Sequence, residues 1–333
     1  MSKVNNHQRG VSDSILIIDG LNTFLRSFTM INHINPDGAH IGGLTGFLKS
    51  VGYAIKMLEP TKVVIVFDGA GGSNSKRNLY PEYKANRNKS RMTNYSIFSS
   101  KDEETESITN QMARLIQYLQ CLPVTMIVVD GIEADDTIGY LVGKFEKFNS
   151  TKEVTVLSAD KDFLQLVSNK VQVYSPTKKK IYKPKDVLEE FNVSSYNFIN
   201  YKILMGDNSD NLPGVEGLGP KKVIKMFPEL ASDTPTTLNE MLEKAASKVG
   251  EHDLYGRIVE RKHQLEINSK LMNLQTMPIS PENIEIIQHS FNSPYELNAH
   301  AFMIMYIADH LGESIPNTHS WLNQVFGPLS TFK

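Results

Sequence analysis

The sequence predicts an α/β protein with a mainly parallel sheet, followed by a region built chiefly of helices. Two patterns support this prediction: short apolar, β-branched runs alternate with stretches of helical periodicity, and the strand signal fades after about residue 185. Alternation of this kind is typical of strands joined by crossover helices. The 333 residues are 40% hydrophobic and 22% charged, which suits one large globular domain or two modest ones.

Four runs are predicted to be buried strands: residues 15–18, 63–67, 126–129 and 154–157. Helices are predicted at residues 43–58, 107–119, 134–148, 187–191, 195–205, 238–249 and 299–311. Residues 86–106 interrupt the pattern because they are polar and charge-rich, and they predict a mobile insertion without a packing face. We therefore expect an α/β domain at 13–185 and a helical region at 186–333.

Cysteine content and hydropathy indicate the cellular compartment of the protein. Cys121 is the single cysteine, so no internal disulfide can form, and no CxxC or HExxH spacing occurs. No apolar run approaches the ~18 residues that a membrane span needs. We expect a cytoplasmic protein with no membrane association.

The charge distribution is uneven although the net charge is only −2. Nine of the 37 acids form the set described below, which leaves bases in excess elsewhere. These bases cluster in three runs, at 76–91, 178–185 and 221–225. A single run is usually a solvated surface, but three runs beside an acidic set favour a phosphate-binding protein.

Nine acids follow the predicted strands or lie in one later turn. Asp19 and Asp68 end the first two strands, in ILIIDG and VVIVFDG. The others are Glu133, Asp135 and Asp136 in GIEADD, Asp160 and Asp162 in SADKDF, and Asp207 and Asp210 in MGDNSDN. Ligands of open parallel sheets gather at the carboxyl ends of the strands, so these acids are expected to converge. Asp130 also follows a strand, but we interpret it as a turn residue.

Convergent carboxylates repel each other and need a cation. Oxygen-only ligands suit Mg²⁺ or Mn²⁺, and nine acids are too many for one ion, so we expect two or more. Two metal ions can activate a water and stabilise the leaving oxygen of a phosphodiester. Each acid alone could be a turn former or a helix cap, but the joint pattern is much more specific.

Other catalytic motifs do not fit. The chain has no GxxxxGK[ST] loop and no GxSxG elbow. The GVEGLG stretch follows DNLP and not a strand, so it is not a dinucleotide-binding loop.

The stretch GVEGLGPKKVI matches a helix–hairpin–helix, a motif that binds the phosphate backbone. Gly214, Gly217 and Gly219 would allow close backbone approach, and Lys221 and Lys222 would reinforce the phosphate contact. The alternative is a plain glycine turn.

The order of motifs is recognisable: IDGLN, VFDG, YPEYKANR, GIEADD, SADKDF and MGDNSDNLPGVEGLGPKK. Over about residues 15–227 the chain resembles the flap-endonuclease-like 5′ nuclease family. It looks most like phage 5′-3′ exonucleases, including those of the phage ribonuclease H type, and is similar to the 5′ nuclease domain of bacterial DNA polymerase I. The resemblance implies a PIN-like sheet flanked by helices, a mobile helical arch at 84–108 and a helix–hairpin–helix at 203–227. No motif transfers to the C-terminal helical tail.

The resemblance also implies roles for individual residues. The first metal would be bound by Asp68, Glu133, Asp135 and Asp160, the second by Asp162, Asp207 and Asp210, with Asp19 and Asp136 near both. Lys84 would contact the phosphate or transition state, assisted by Arg77 and Arg87. A K⁺ ion would be held by hairpin carbonyls, and the arch would pass a 5′ single strand.

We therefore interpret the chain as a metal-dependent 5′-3′ exonuclease or flap endonuclease that hydrolyses branched DNA or RNA–DNA hybrids in replication or repair, including RNA-primer removal. The expected partners are duplex DNA with a 5′ single-stranded flap or an RNA primer, and replication proteins such as a single-strand binding protein or a sliding clamp. We expect a monomer. Two alternatives stay open: a structure-specific DNA-binding protein that does not cut, and a PIN-type ribonuclease acting on single-stranded RNA.

Overall fold

The computed structural model of the chain describes residues 13–86 and 92–331. A six-stranded sheet has the order β3-β2-β1-β4-β5-β6, and all neighbouring pairs are parallel except β5 with β6. The strands are β1 (Asp13–Asp19), β2 (Lys62–Asp68), β3 (Thr125–Val129), β4 (Thr151–Leu157), β5 (Val171–Ser175) and β6 (Lys180–Tyr182). A separate two-stranded ribbon joins β7 (Gly206–Asp207) to β8 (Leu212–Pro213).

The helices of the described residues are α1 (Gly20–Met30), α2 (Gly42–Leu58), α3 (Asn74–Leu79), α4 (Lys101–Leu119), α5 (Ala134–Glu146), α6 (Pro184–Phe191), α7 (Phe198–Met205), α8 (Pro220–Met226), α9 (Leu238–Ser247), α10 (Asp253–Glu260), α11 (Lys262–Met272), α12 (Pro281–Asn292), α13 (Ala299–Ala308) and α14 (Thr318–Phe326). The predicted fold class is confirmed: a mainly parallel sheet is covered by helices and followed by a helical region.

The central strand β1 is buried on both faces of the sheet. Leu16 and Ile18 pack into a core with α1, α2 and α4, whereas Ile15 and Ile17 pack into a second core with α5. Successive side chains of a strand point to opposite faces, so a continuous apolar run is what a doubly covered strand requires. The sequence ILII therefore specifies a central strand.

The strand order places a topological switch point between β1 and β4. From β1 the chain adds β2 and then β3 on one side, and it returns to add β4 and β5 on the other. Ligands of such sheets bind outside the carboxyl ends of the strands at this point. Asp19 ends β1, and Asp160 follows β4 closely, so both flank the switch point.

The helical region has a core of its own, formed by residues of α7 to α11. The chain then returns to the α/β part. Phe302, Tyr306 and Leu322, from α13 and α14, join the core that contains α1 and α2, and Ile287 of α12 joins the other one. The C-terminal helices therefore complete the covering of the sheet.

The four predicted strands and seven predicted helices are present with small shifts of their ends. Strands β5 to β8 and helices α1, α3, α10, α11, α12 and α14 were not predicted. The expectation that the insertion lacks a packing face is wrong for residues 92–106. The buried carboxylate of Glu104 accepts hydrogen bonds from the backbone of Thr93 and Asn94, and Phe98 stacks on Phe28. Hydrogen bonds to a buried acid replace the apolar face that the sequence lacks.

Cys121 is buried and free. No helix within the described ranges is long and apolar enough to cross a membrane.

Candidate metal centre

Asp19 lies at the carboxyl end of β1, and it interacts with the charges of Asp68 and Asp160. It caps α1 by accepting a hydrogen bond from the backbone N–H of Asn22 (3.1 Å), and Ser158 Oγ donates to its other oxygen (2.8 Å). Burial, with the charges of Asp160 and Asp68, raises the pKa of Asp19 to about 7 in spite of these hydrogen bonds. An acid with so high a pKa is one that a nearby cation would stabilise strongly.

Asp68, Asp135 and Asp160 come from three other elements. Asp68 accepts a hydrogen bond from the backbone N–H of Ala134 (2.9 Å), which ties the end of β2 to the start of α5. Asp135 has a pKa raised well above its usual value, first by burial and then by the charges of Asp19 and Asp160. The charges of Asp68 and Asp160 thus act on Asp19, and those of Asp19 and Asp160 act on Asp135, so these four acids lie near one another. None of the four forms an ion pair with a lysine or arginine among the described residues.

Glu133 and Asp136 are held by a buried lysine that the sequence analysis did not single out. Lys76 of α3 lies 2.8 Å from Glu133 Oε2 and 2.9 Å from Asp136 Oδ1, and its side chain is only 6% exposed. Lys84 contacts the other oxygen of Glu133, and the Tyr83 hydroxyl donates to Glu133 at 2.9 Å. Burial alone would raise the pKa of Glu133, but the two ammonium groups outweigh it and hold that pKa at about 2.

A second unpredicted lysine joins Asp162 to Asp207. Lys202 of α7 lies 2.6 Å from Asp162 Oδ1 and 2.8 Å from Asp207 Oδ2. Burial and the charge of Asp160 still raise the pKa of Asp162 to about 6. The pKa of Asp207 is held at about 2, because its hydrogen bonds to Lys202 and Ser209 outweigh its burial.

Hydrogen bonds join the turn that carries Asp207 and Asp210 to residues 83–86, where the insertion begins. Lys84 has a left-handed backbone (φ +57°), and its N–H donates to the carbonyl of Asp210 at 2.9 Å. Asn86 donates to the carbonyl of Asn208 (2.8 Å), and Tyr83 lies 3.3 Å from Asp210 Oδ2. The acids of the second predicted metal group and the predicted catalytic lysine are thus parts of one network.

The predicted arginines are less well placed. Arg77 is exposed on α3, next to the buried Lys76, and Arg87 lies outside the described residues. The basic run 178–185 is largely neutralised, since Lys178 and Lys180 pair with Glu190, and Lys185 pairs with Glu189. This run therefore does not support the interpretation as a phosphate-binding surface.

The glycine-rich hairpin connects the two-stranded ribbon of β7 and β8 to α8. Gly214 has no room for a side chain, because a Cβ there would lie 2.3 Å from the backbone of Met205. Gly217 has φ +77°, a conformation that glycine adopts without strain. Gly219 faces open space, so a ligand backbone could approach it closely. Lys221 is exposed at the start of α8, and Lys222 donates to the carbonyl of Gly217 (2.9 Å).

The chemistry of the acids suits a hard cation, although their spacing does not form a ready-made metal site in the part of the chain that the structure describes. Within residues 13–86 and 92–331, no three His, Cys, Asp or Glu side chains are grouped so that they could hold one metal ion. The donors are carboxylates, however, and the raised pKa values of Asp19 and Asp135 indicate negative charge that lacks compensation. Carboxylate oxygens are the ligands that Mg²⁺ and Mn²⁺ prefer.

Comparison with known proteins agrees with this geometry. A family model described as the N-terminal resolvase-like domain of 5′-3′ exonucleases matches residues 14–192, and one described as their C-terminal SAM fold matches residues 193–292. The 5′-3′ exonuclease of Bacillus subtilis is 30% identical over 272 residues, covering 79% of this chain and 83% of that protein. The 5′-3′ exonuclease of Aquifex aeolicus is 28% identical over 284 residues, covering 84% and 89%.

Among solved structures, the chain is similar to a flap endonuclease of bacteriophage T5 in a pseudo-enzyme–product complex with DNA and metal ions. The TM-score is 0.65 with 20% identity, and the match covers 89% of this chain and 99% of that one. This likeness shows the fold. Fold and site together define a nuclease with an α/β catalytic domain. The chain belongs to the 5′-3′ exonuclease family, and the resemblance stated from its motifs is confirmed.

Proposed function

We propose that the protein is a structure-specific 5′ nuclease that hydrolyses one phosphodiester of branched DNA or of an RNA–DNA hybrid, using two or more Mg²⁺ or Mn²⁺ ions. The observation that carries this proposal is the convergence of Asp19, Asp68, Asp135 and Asp160 beside the switch point of the sheet. Relatives that include 5′-3′ exonucleases and DNA polymerase I support a role in replication or repair.

The acids are assigned to two groups. Asp68, Glu133, Asp135 and Asp160 would hold a first ion, Asp162, Asp207 and Asp210 a second, and Asp19 and Asp136 would lie near both. Bound divalent ions supply positive charge that lowers the pKa of a water and stabilises the leaving oxygen. Lys76 keeps Glu133 ionised and holds the Asp136 carboxyl group in place, so it acts as a positioning residue.

Lys84 is the proposed contact to the scissile phosphate. Its ammonium group now contacts Glu133, at the edge of the acids, and its side chain is mostly buried. The N–H bond to the Asp210 carbonyl fixes the backbone of Lys84 beside the second group of acids. A substrate phosphate that enters between the two groups would meet this ammonium group. Arg77 and Arg87 stay predictions as further phosphate contacts.

The hairpin is proposed to bind the duplex next to the cleaved strand. Gly219 is open, and Lys221 is exposed beside it, so both can face a phosphate backbone. This contact reads shape and charge and carries no base specificity. A K⁺ ion at the hairpin carbonyls is part of the proposal, and it would compete with Lys222 for the Gly217 carbonyl. The finer predictions of a 5′ flap or RNA primer as substrate, of replication-protein partners and of a cytoplasmic location belong to this proposal as well.

The test is cleavage of three labelled substrates by the purified protein: a 5′ flap, a nicked duplex and an RNA–DNA hybrid. We expect hydrolysis with millimolar Mg²⁺ or Mn²⁺ and none in EDTA. A product with a 5′-phosphate and a 3′-hydroxyl is expected. Full cleavage in EDTA would contradict the metal mechanism, and cleavage of single-stranded RNA alone would favour the PIN-type ribonuclease.

A further inference from the structure

Lys202 occupies the space between two of the acids assigned to the second ion. Its Nζ lies 2.6 Å from Asp162 Oδ1 and 2.8 Å from Asp207 Oδ2, and the side chains of all three residues are largely buried. A divalent ion that binds both oxygens must lie between them, where the ammonium group now is. The two cations therefore exclude each other.

We propose that Lys202 is a built-in competitor for the second metal ion, which must displace the lysine ammonium group before it can bind Asp162 and Asp207. This inference rests on the proposed function for the assignment of these two acids to a metal. The ammonium group offsets one of the two carboxylate charges in the metal-free protein and lowers the apparent affinity of the second ion.

The Asp207 carboxylate and the backbone of Asp162 are held by contacts that do not involve Lys202. The second oxygen of Asp207 accepts hydrogen bonds from the backbone N–H of Ser209 (2.8 Å) and from its hydroxyl (2.6 Å). The backbone N–H of Asp162 donates to Asp160 Oδ1 at 2.8 Å, which fixes the start of the following turn. The Asp207 carboxylate therefore does not depend on Lys202 alone for its position, and the backbone that carries Asp162 is fixed independently of Lys202.

The other buried lysine of the site differs in this respect. The side chain of Lys76 is 6% exposed, and it lies between acids that it holds from the interior of the fold. The side chain of Lys202 is 16% exposed, so its flexible chain can move its ammonium group towards solvent. Displacement by an incoming ion is therefore open to Lys202 and not to Lys76.

The experiment measures Mn²⁺ binding by the full chain, using the electron paramagnetic resonance signal of free Mn²⁺. Lys202→Met removes the competing charge and keeps the length of the side chain. Lys244→Met is the matched control, because Lys244 also holds a carboxylate, that of Glu229 at 2.7 Å, but in the helical region. Lys202→Arg keeps the charge.

We expect Lys202→Met to bind its weaker Mn²⁺ ion at least about tenfold more tightly than the wild type, because a unit charge at contact distance is removed. Lys244→Met and Lys202→Arg are expected to show no such gain. Equal or weaker Mn²⁺ binding by Lys202→Met would overturn the proposal.

The variant can also be tested if it is unfolded without metal. Circular dichroism during a Mn²⁺ titration is then expected to show folding as the ion replaces the lysine, and no folding at saturating Mn²⁺ would overturn the proposal. Flap cleavage by the wild type is a separate measurement. A protein that binds Mn²⁺ as expected but cuts nothing would refute the proposed function and leave this inference standing.

Discussion

Lys76→Met should destabilise the metal-free protein strongly, because it removes the cation that two buried carboxylates share. Glu133 would keep Lys84 and Tyr83, whereas Asp136 would lose its one ion pair within the described residues. The side chains involved are 4% to 6% exposed. Removing one partner of a buried ion pair costs about 3–5 kcal/mol. Lys76 takes part in two such pairs, but Glu133 keeps other contacts, so we expect a loss in this range and not twice as large.

The assay is urea unfolding in EDTA at pH 7, with Lys244→Met as the control. Lys244 and Glu229 are each roughly a third exposed, and a pair of that kind contributes only about 0–1 kcal/mol. The loss of unfolding free energy caused by Lys76→Met should become smaller as the pH is lowered. Burial raises the pKa of Asp136, so its uncompensated charge is lost by protonation on the acid side. A loss below about 1 kcal/mol for Lys76→Met would refute the reasoning.

Two further predictions concern the insertion and the hairpin. Glu104→Gln should cost about 1–3 kcal/mol, because a buried acceptor of three hydrogen bonds is weakened. Burial would raise the pKa of Glu104, but hydrogen bonds from Lys101, Thr93 and Asn94 hold it at about 2. The stability that the Glu104 carboxylate contributes to the fold is therefore present above its pKa in the unfolded chain, about 4.3, and is lost as the pH falls towards 2. The test is the urea midpoint of the wild type and of Glu104→Gln at pH 7 and pH 3. A difference between the two midpoints that is as large at pH 3 as at pH 7 would contradict this prediction. Lys221→Ala with Lys222→Ala should weaken duplex binding equally on all sequences and lower its salt slope by up to about two units. An unchanged slope in a salt titration would mean that these lysines are only solvated.

The sequence predicted the part of the fold that follows from local pattern. Strands β1 to β4 each contain a short run rich in apolar, β-branched residues. The acids at their ends were expected to converge because the carboxyl ends of parallel strands lie at one edge of the sheet. Strand β5 was missed because VQVYS buries Gln172 and Ser175, whose polar side chains break the apolar pattern. Helix α1 was missed because it begins directly after β1, with Asp19 as its cap, so no loop separates the two.

Local sequence pattern gave less information about the lysines that pair with the acids of the site. Lys76 belongs to a basic run and pairs with acids 57 and 60 residues away, which only the tertiary fold brings near. Lys202 did leave a signal. It is a lone charge in the apolar stretch FINYKILM, five residues before Asp207, and a buried charge of that kind needs a partner.

The measurement that tests the account most directly is single-turnover cleavage of a 5′ flap by Asp160→Asn, together with equilibrium binding of the same flap in Ca²⁺. Asp160 faces both groups of acids, since its charge acts on Asp19, Asp135 and Asp162. Metal ions stabilise charge that develops in the transition state, so we expect the rate to fall at least ~10³-fold, or ~4 kcal/mol. Binding should be unchanged or slightly tighter, because one repulsive carboxylate is gone. Cleavage near the wild-type rate by Asp160→Asn would contradict the assignment of these acids as the catalytic metal site.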